Sequence, residues 1–142
     1  MRRTCLLVLV AVLVATVFAA GEDRPSPKFD GDWNTTLICP NDEKSGARGY
    51  KMFFIAEVKD GRFLGKYGNE GEPGSITMTG SILADGSALL DAKGLVGNSE
   101  HASNRGARGT TYSWQVKAQF EAEKGTGQRL NGRRCEVEFF KR

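Results

Sequence analysis

From Phe29 to the C-terminus, apolar and polar residues alternate with a period of two, and that period dictates strands. Successive side chains of a strand point to opposite faces, so a sheet with one buried and one wetted face is encoded in this way. Trp33, Thr35 and Leu37 alternate with Asn34, Thr36 and Ile38, and Tyr50, Met52, Phe54, Ala56 and Val58 alternate with Lys51, Phe53, Ile55, Glu57 and Lys59. Ile76, Met78, Gly80 and Ile82 follow the same rule, as do Tyr112, Trp114, Val116, Ala118, Phe120 and Ala122 in the longest run. Cys135, Val137 and Phe139 end the pattern. No segment of helical length carries an apolar stripe at a spacing of 3.6.

Turn chemistry punctuates these runs. Asp60-Gly61 favours the positive φ angles of a type I′ hairpin, and Gly71-Glu72-Pro73-Gly74, Asp85-Gly86 and Lys124–Gly127 read as further turns. The 18 glycines suit an antiparallel meander of short strands and tight bends. The expected fold is all-β, a small antiparallel meander closing into a β-barrel of about 7–8 strands, with a β-sandwich as the alternative. Strand parity favours eight. Seven strands leave the first and last parallel, whereas a second hairpin at Asn131-Gly132 makes residues 128–131 a short extra strand and reverses the last one. The turns at 60–61, 84–86 and 124–127 then share a plain end. The loops at 40–49, 69–74 and 97–109 share a decorated end, where function is expected.

The N-terminus reads differently. Arg2 and Arg3 precede the apolar run Leu6 to Phe18, and Ala19, Ala20 and Gly21 supply small residues at its exit. This is the pattern of a cleavable secretory signal, expected over 1–20, with a flexible leader over 21–28 and a single β domain over 29–142. The run is shorter than the roughly 20 residues of a membrane-spanning helix. Cys5 lies before the run, away from the position a lipid-anchored cysteine occupies. The mature chain is therefore expected in the periplasm or secreted, with no integral membrane segment. Cleavage also removes two arginines, leaving 18 basic against 17 acidic residues and a net charge of +1. A near-neutral domain lacks the field of a nucleic-acid binder.

Processing leaves two cysteines, Cys39 and Cys135, and an exported domain with an even number predicts one disulfide between them. Its loop of about 100 residues corresponds to about 4–5 kcal/mol in chain-entropy models.

The only histidine, His101, sits in the loop GNSEHASNRGARG beside Ser99, Glu100 and Ser103. A hydrolase using His101 is thus one reading, but adjacent loop residues do not establish a triad, and no catalytic residue is assigned. One histidine and two paired cysteines leave too few preferred ligands for zinc, so neither metal nor cofactor is expected. Gly68, Gly71 and Gly74 mimic a phosphate loop, yet a strand follows them and Glu70 and Glu72 would repel phosphate.

Two features point to binding. Gly-Ala-Arg-Gly occurs at 46–49 and again at 106–109, so Arg48, Arg105 and Arg108 are expected as a cationic rim for a carboxylate or another anion. Tyr50, Phe54, Tyr112, Trp114 and Phe120 fall on the inward face, lining a cavity or filling a core. Arg48, Arg105, Arg108, Tyr112 and Trp114 are the candidate ligand-binding residues.

The ordered segments FDGDW at 29–33, CP at 39–40, GY at 49–50, VKDG at 58–61 and GNEGEPGS at 68–75 resemble a group of uncharacterised exported proteins of proteobacteria. DGSALLDAKGLVG at 85–97, GTTYS at 109–113 and GTGQRLNGRRC at 125–135 continue the resemblance. It implies export and a compact domain and carries over no functional residue. The outline is also similar to avidins and lipocalins, a likeness of fold that says nothing of function. The leading expectation is an exported, non-enzymatic binding or interaction module for a protein or small-molecule ligand, contacted from loops 40–49, 69–74 and 97–109. A carrier of a small apolar ligand in the barrel interior is the alternative.

Overall fold

A computed structural model describes residues 23–142, so the signal expected over 1–20 lies outside the described residues. Eight strands follow one another: Gly31–Cys39 (β1), Tyr50–Lys59 (β2), Arg62–Tyr67 (β3), Ile76–Ile82 (β4), Ser87–Leu95 (β5), Thr111–Phe120 (β6), Lys124–Arg129 (β7) and Glu136–Lys141 (β8). Each pairs antiparallel with the next, and β1 also pairs with β8, so the sheet closes on itself. Thr35 makes the closure visible, facing Phe54 on one side and Phe139 on the other. The sandwich alternative falls, because a sandwich has free edges and this barrel has none.

The eighth strand is not the one expected. Lys124–Gly127 is the start of β7, and the turn lies just before it, over 121–123. The glycines that suggested a turn serve packing instead. Gly125 and Gly127 face inward, where a Cβ on Gly127 would stand 2.6 Å from Val116 Cγ1 and one on Gly125 3.1 Å from the Phe120 ring. In contrast, Asp60 and Gly61 do make the hairpin, with φ of 51° and 70°.

The interior of the plain end is solid. Trp33, Phe29, Phe63, Phe120 and Phe139 are fully buried there. Trp33 meets Phe120 edge-on at 5.2 Å, Phe63 meets Phe139 edge-on at 5.5 Å, and the Phe120 and Phe139 centroids are 4.6 Å apart. Burying each such side chain contributes about 1.5–3 kcal/mol, and each aromatic pair adds about 0.5–1.5 kcal/mol. This cluster is therefore the main anchor of the barrel.

The segment expected as a leader over 21–28 joins the barrel from Pro25 onward. Pro25 bridges to Leu83, Ser26 N–H donates to the Ile82 carbonyl at 2.8 Å, and Pro27–Phe29 form a 3-10 turn. Phe29 enters the aromatic cluster and its carbonyl accepts from the Trp33 indole at 2.9 Å. The Asp30 carboxylate accepts from the N–H groups of Asp60 and Gly61, each at 2.9 Å. The plain end is thus plugged, and access to the interior is from the other end.

At that open end the expected disulfide joins Cys39 to Cys135, 96 residues apart, with Cα atoms 4.3 Å apart. It fastens the end of β1 to the chain entering β8, where the barrel closes. Among the described residues no helix is long and apolar enough to cross a membrane.

Candidate functional site

Four connections meet at the open end: 40–49, 68–75, 96–110 and 130–135. The 68–75, 96–110 and 130–135 connections border a pocket of about 720 Å³ that descends into the upper part of the barrel, whereas the 40–49 loop, expected to supply contacts, contributes no lining residue. Its inner lining comes from inward positions of the strands. Tyr50 and Met52 are contributed by β2, Tyr112 and Trp114 by β6, and Arg129 by β7. Trp114 is the least exposed of the aromatic residues in the lining, at 7 %.

Tyr112 is seated by a missing side chain. A Cβ on Gly94, its partner across β5 and β6, would lie 2.5 Å from the Tyr112 hydroxyl. The hydroxyl instead passes over Gly94 and donates to the Ser75 carbonyl at 3.1 Å, tying the pocket wall to the 68–75 loop. Burial pushes the Tyr112 phenol well above its ordinary value, with the neighbouring Tyr50 adding to the shift. Burial raises Tyr50 as well, partly offset by the charges of Arg133 and Arg129.

The loops are bracketed by Arg133, which is 5 % exposed. Its guanidinium donates to the carbonyls of His101 at 2.8 Å, Arg48 at 3.1 Å and Pro40, and lies 5.3 Å from the Tyr50 ring centre. One cation thereby holds the 40–49 and 96–110 loops against the 130–135 connection. These hydrogen bonds carry a charge and have no competing carboxylate, so each is stronger than a neutral pair.

Arg129 is different. It continues the inward series Gly125, Gly127, and its guanidinium carbon stands 4.9 Å from the Trp114 ring centre. Gly132, at φ 80°, gives it room, since a Cβ there would lie 2.9 Å from Arg129 Nη2. Arg129 Nε donates to the Asn131 carbonyl at 2.5 Å, while its two terminal nitrogens make no hydrogen bond to any described residue. Burial lowers its pKa from the ordinary value, the expected response of a desolvated cation. Arg108, Arg129 and Arg133 bring cationic side chains to the lining, Lys51 borders it from an exposed outward position of β2, and none of its described residues is a carboxylate.

The candidate residues from the sequence are divided. Tyr112, Trp114 and Arg108 line the pocket, and Arg108 Nη1 donates to the Gly97 carbonyl at 2.9 Å. Arg48 and Arg105 do not join them. They line a separate cleft of about 200 Å³, where Arg48 pairs with Glu100 at 3.3 Å. The expected rim of three arginines is therefore split, because Glu100 draws Arg48 outward. His101 lines the pocket, edge-on to Tyr50 at 5.7 Å, with Nδ1 3.2 Å from the Arg48 carbonyl oxygen. That contact sets the Nδ1–H tautomer, and the Glu100 carboxylate is engaged by Arg48. Ser103 Oγ is buried in the pocket lining without a partner among the described residues.

Sequence reasoning missed Arg129 and Arg133. Arg129 was within reach, since the alternation of Gly125, Gly127 and Arg129 places it inward. Arg133 carried no such signal. It stands beside Arg134, which is exposed and pairs with Glu136 at 3.0 Å, and nothing local separates the two.

A broader depression of about 1180 Å³ runs over the outside of the barrel, lined by Lys117, Gln128, Glu136 and Glu138 among others. Its charges are of both signs and face solvent, so it lacks the convergence of polar groups that marks a binding site. Comparison with protein-family models, with curated proteins and with solved structures finds no match to this chain.

Proposed function

We propose that this chain is an exported, non-enzymatic binding module that takes a small molecule into the mouth of its barrel. The observation that carries this reading is the pocket of about 720 Å³ with Trp114 and Tyr112 inside and the 96–110 and 130–135 connections at its mouth. Its size falls in the roughly 300–1,000 Å³ typical of small-molecule sites, and apolar walls from Met52, Leu95, Val96 and Trp114 converge there with polar side chains of the loops. The signal-like N-terminus and the Cys39–Cys135 bond support the periplasm or the extracellular space as the place of work.

A binding role is favoured over hydrolysis by the state of His101. A catalytic base needs a nucleophile within hydrogen-bond reach, and among the described residues the His101 ring hydrogen-bonds only to the Arg48 carbonyl, with Glu100 taken by Arg48. Carriage of a wholly apolar ligand deep in the barrel has less support, because the phenylalanine cluster fills the closed half.

Native mass spectrometry of the mature protein against a mixed panel of small acids, bases and neutral compounds tests the reading. We expect one-to-one adducts that disappear in Ala102→Trp, a loop substitution that fills the pocket without touching the core. A ligand at a hundredfold its Kd should stabilise the fold by about 2.7 kcal/mol, a rise of about 10 °C in Tm. Adducts that persist in a folded Ala102→Trp protein would place binding elsewhere and remove the pocket from the account.

A further inference from the structure

The charge pattern of the pocket names the chemistry of its ligand. We propose that the pocket binds an organic carboxylate with a flat, apolar body, its carboxylate held by the terminal nitrogens of Arg129 and its body lying against Trp114, Tyr112 and Met52. The inference rests on the mouth pocket being the binding site.

Four observations support it. The first is the position of Arg129, which projects from an inward position of β7 and is partly withdrawn from water. A guanidinium remains charged in any aqueous setting, so desolvating it without a counter-charge is unfavourable unless something else meets it. The Trp114 face offsets part of that cost through cation–π attraction, worth about 0.5–2 kcal/mol, and leaves the edge of the guanidinium free.

The second is the sign of the surroundings. Three arginines line the pocket and no described carboxylate does, although the mature chain is nearly balanced in charge. Glu100 belongs to the neighbouring cleft with Arg48, and Asp91, which shares a separate cleft with Arg129 and Trp114, accepts from Gln115 at 2.9 Å. An anion meets no repulsion inside, and a cation finds no partner.

The third separates a carboxylate from a phosphate. Arg133 is committed to three carbonyls and Arg108 to the Gly97 carbonyl, so Arg129 alone offers two unbonded terminal nitrogens. One planar fork matches one carboxylate through two parallel hydrogen bonds. A dianionic phosphate ester would call for further free donors. Ser103 Oγ, buried and unpartnered in the lining, can supply one additional donor.

The fourth requires the ligand to be more than an ion. Met52, Leu95, Val96, Tyr112 and Trp114 make most of the remaining wall apolar, and a small hydrated anion would leave them wet. A neutral apolar molecule would cover these walls and strand the Arg129 charge. Only an amphipathic acid meets both demands.

The test compares three probes on the mature protein by calorimetry: 1-naphthoate, its neutral isostere 1-naphthamide, and inorganic phosphate. The chain has two tryptophans, and Trp33 is sealed in the core, so quenching of Trp114 fluorescence gives an independent readout. We expect naphthoate to bind at least tenfold more tightly than naphthamide, and phosphate not to bind at millimolar concentration. Arg129→Gln should weaken naphthoate tenfold or more and leave naphthamide within twofold. Equal affinity of naphthoate and naphthamide in the unaltered protein overturns the carboxylate assignment and leaves the small-molecule reading standing. Phosphate binding as tightly as naphthoate overturns the amphipathic assignment in the same way. Binding of none of the three overturns the amphipathic-acid assignment, and binding insensitive to Ala102→Trp in a folded protein overturns the pocket itself. The naphthoate–naphthamide comparison needs no variant, so it decides the question even where Arg129→Gln does not fold.

Discussion

The Arg129 guanidinium lies 4.9 Å from the centre of the Trp114 ring, on the inward side of the barrel mouth. A cation on the inner face of a β-barrel is an unusual choice for stability, because an apolar side chain of similar size fills such a position without desolvating a charge. The pair makes sense as an element of recognition. Arg133 instead spends its donors on loop carbonyls, and the two arginines should respond to substitution in opposite ways.

Arg129→Met should leave the fold as stable as before, or more stable by about 1 kcal/mol, since replacing a half-buried charge by a packed apolar group is commonly neutral or favourable. Urea unfolding of the two proteins gives the comparison. A loss greater than about 2 kcal/mol would make Arg129 a structural prop and not a recognition group.

Arg133→Met removes the donor to three loop carbonyls at once. We expect a loss of about 2–3 kcal/mol, the scale of charged hydrogen bonds whose acceptors are left unpaired. Amide hydrogen exchange should quicken in 40–49 and 96–104 and stay slow in the strands at the plain end. Unchanged exchange in both loops would show that they are held by their own turns.

The Cys39→Ala, Cys135→Ala double variant should keep the barrel but unfold at lower denaturant. The chain-entropy bound for a loop of this length is about 4–5 kcal/mol, and the measured loss should lie at or below it. The aromatic cluster lies at the opposite end and does not depend on the bond, so loss of the fold altogether would contradict this account of what anchors it.

Tyr50 and Tyr112 tie stability to alkaline pH. Burial raises both above the ordinary phenol value of 10.0. Below pH 10 both phenols are protonated in the folded and unfolded chains alike, and their contribution is complete. As pH rises past 10 only the unfolded chain releases these protons, so stability falls towards the higher folded values. The decline in urea midpoint between pH 9 and pH 11 should be smaller in the Tyr50→Phe, Tyr112→Phe double variant. Equal declines in the two proteins would mean that other groups carry the alkaline effect.

Much of this molecule is written locally. The face of each strand residue follows from period two, which is why Trp33, Leu37, Phe54, Trp114 and Phe120 are buried as their alternation requires. Asp60-Gly61 turns the chain because those residues accept positive φ, wherever the hairpin sits. The reading failed at Lys124–Gly127, where glycines signalled a turn. A glycine in a turn and a glycine opposite a large inward side chain look the same until the partner strand is known, and here Val116 and Phe120 are the partners.

The sequence by itself pointed to seven or eight strands, with parity favouring eight though the extra strand was misplaced, and to the pairing of Cys39 with Cys135 and the end of the fold that carries the elaborate loops. It did so because alternation, turn residues and a pair of cysteines act over a few neighbours or admit one solution. Only the tertiary structure decided how the arginines are used. Arg48 meets Glu100, Arg133 meets three carbonyls, Arg134 meets Glu136, and Arg129 alone turns inward with its terminal nitrogens unbonded. A long charged side chain goes wherever distant loops present acceptors, and those loops become neighbours only when β1 closes on β8.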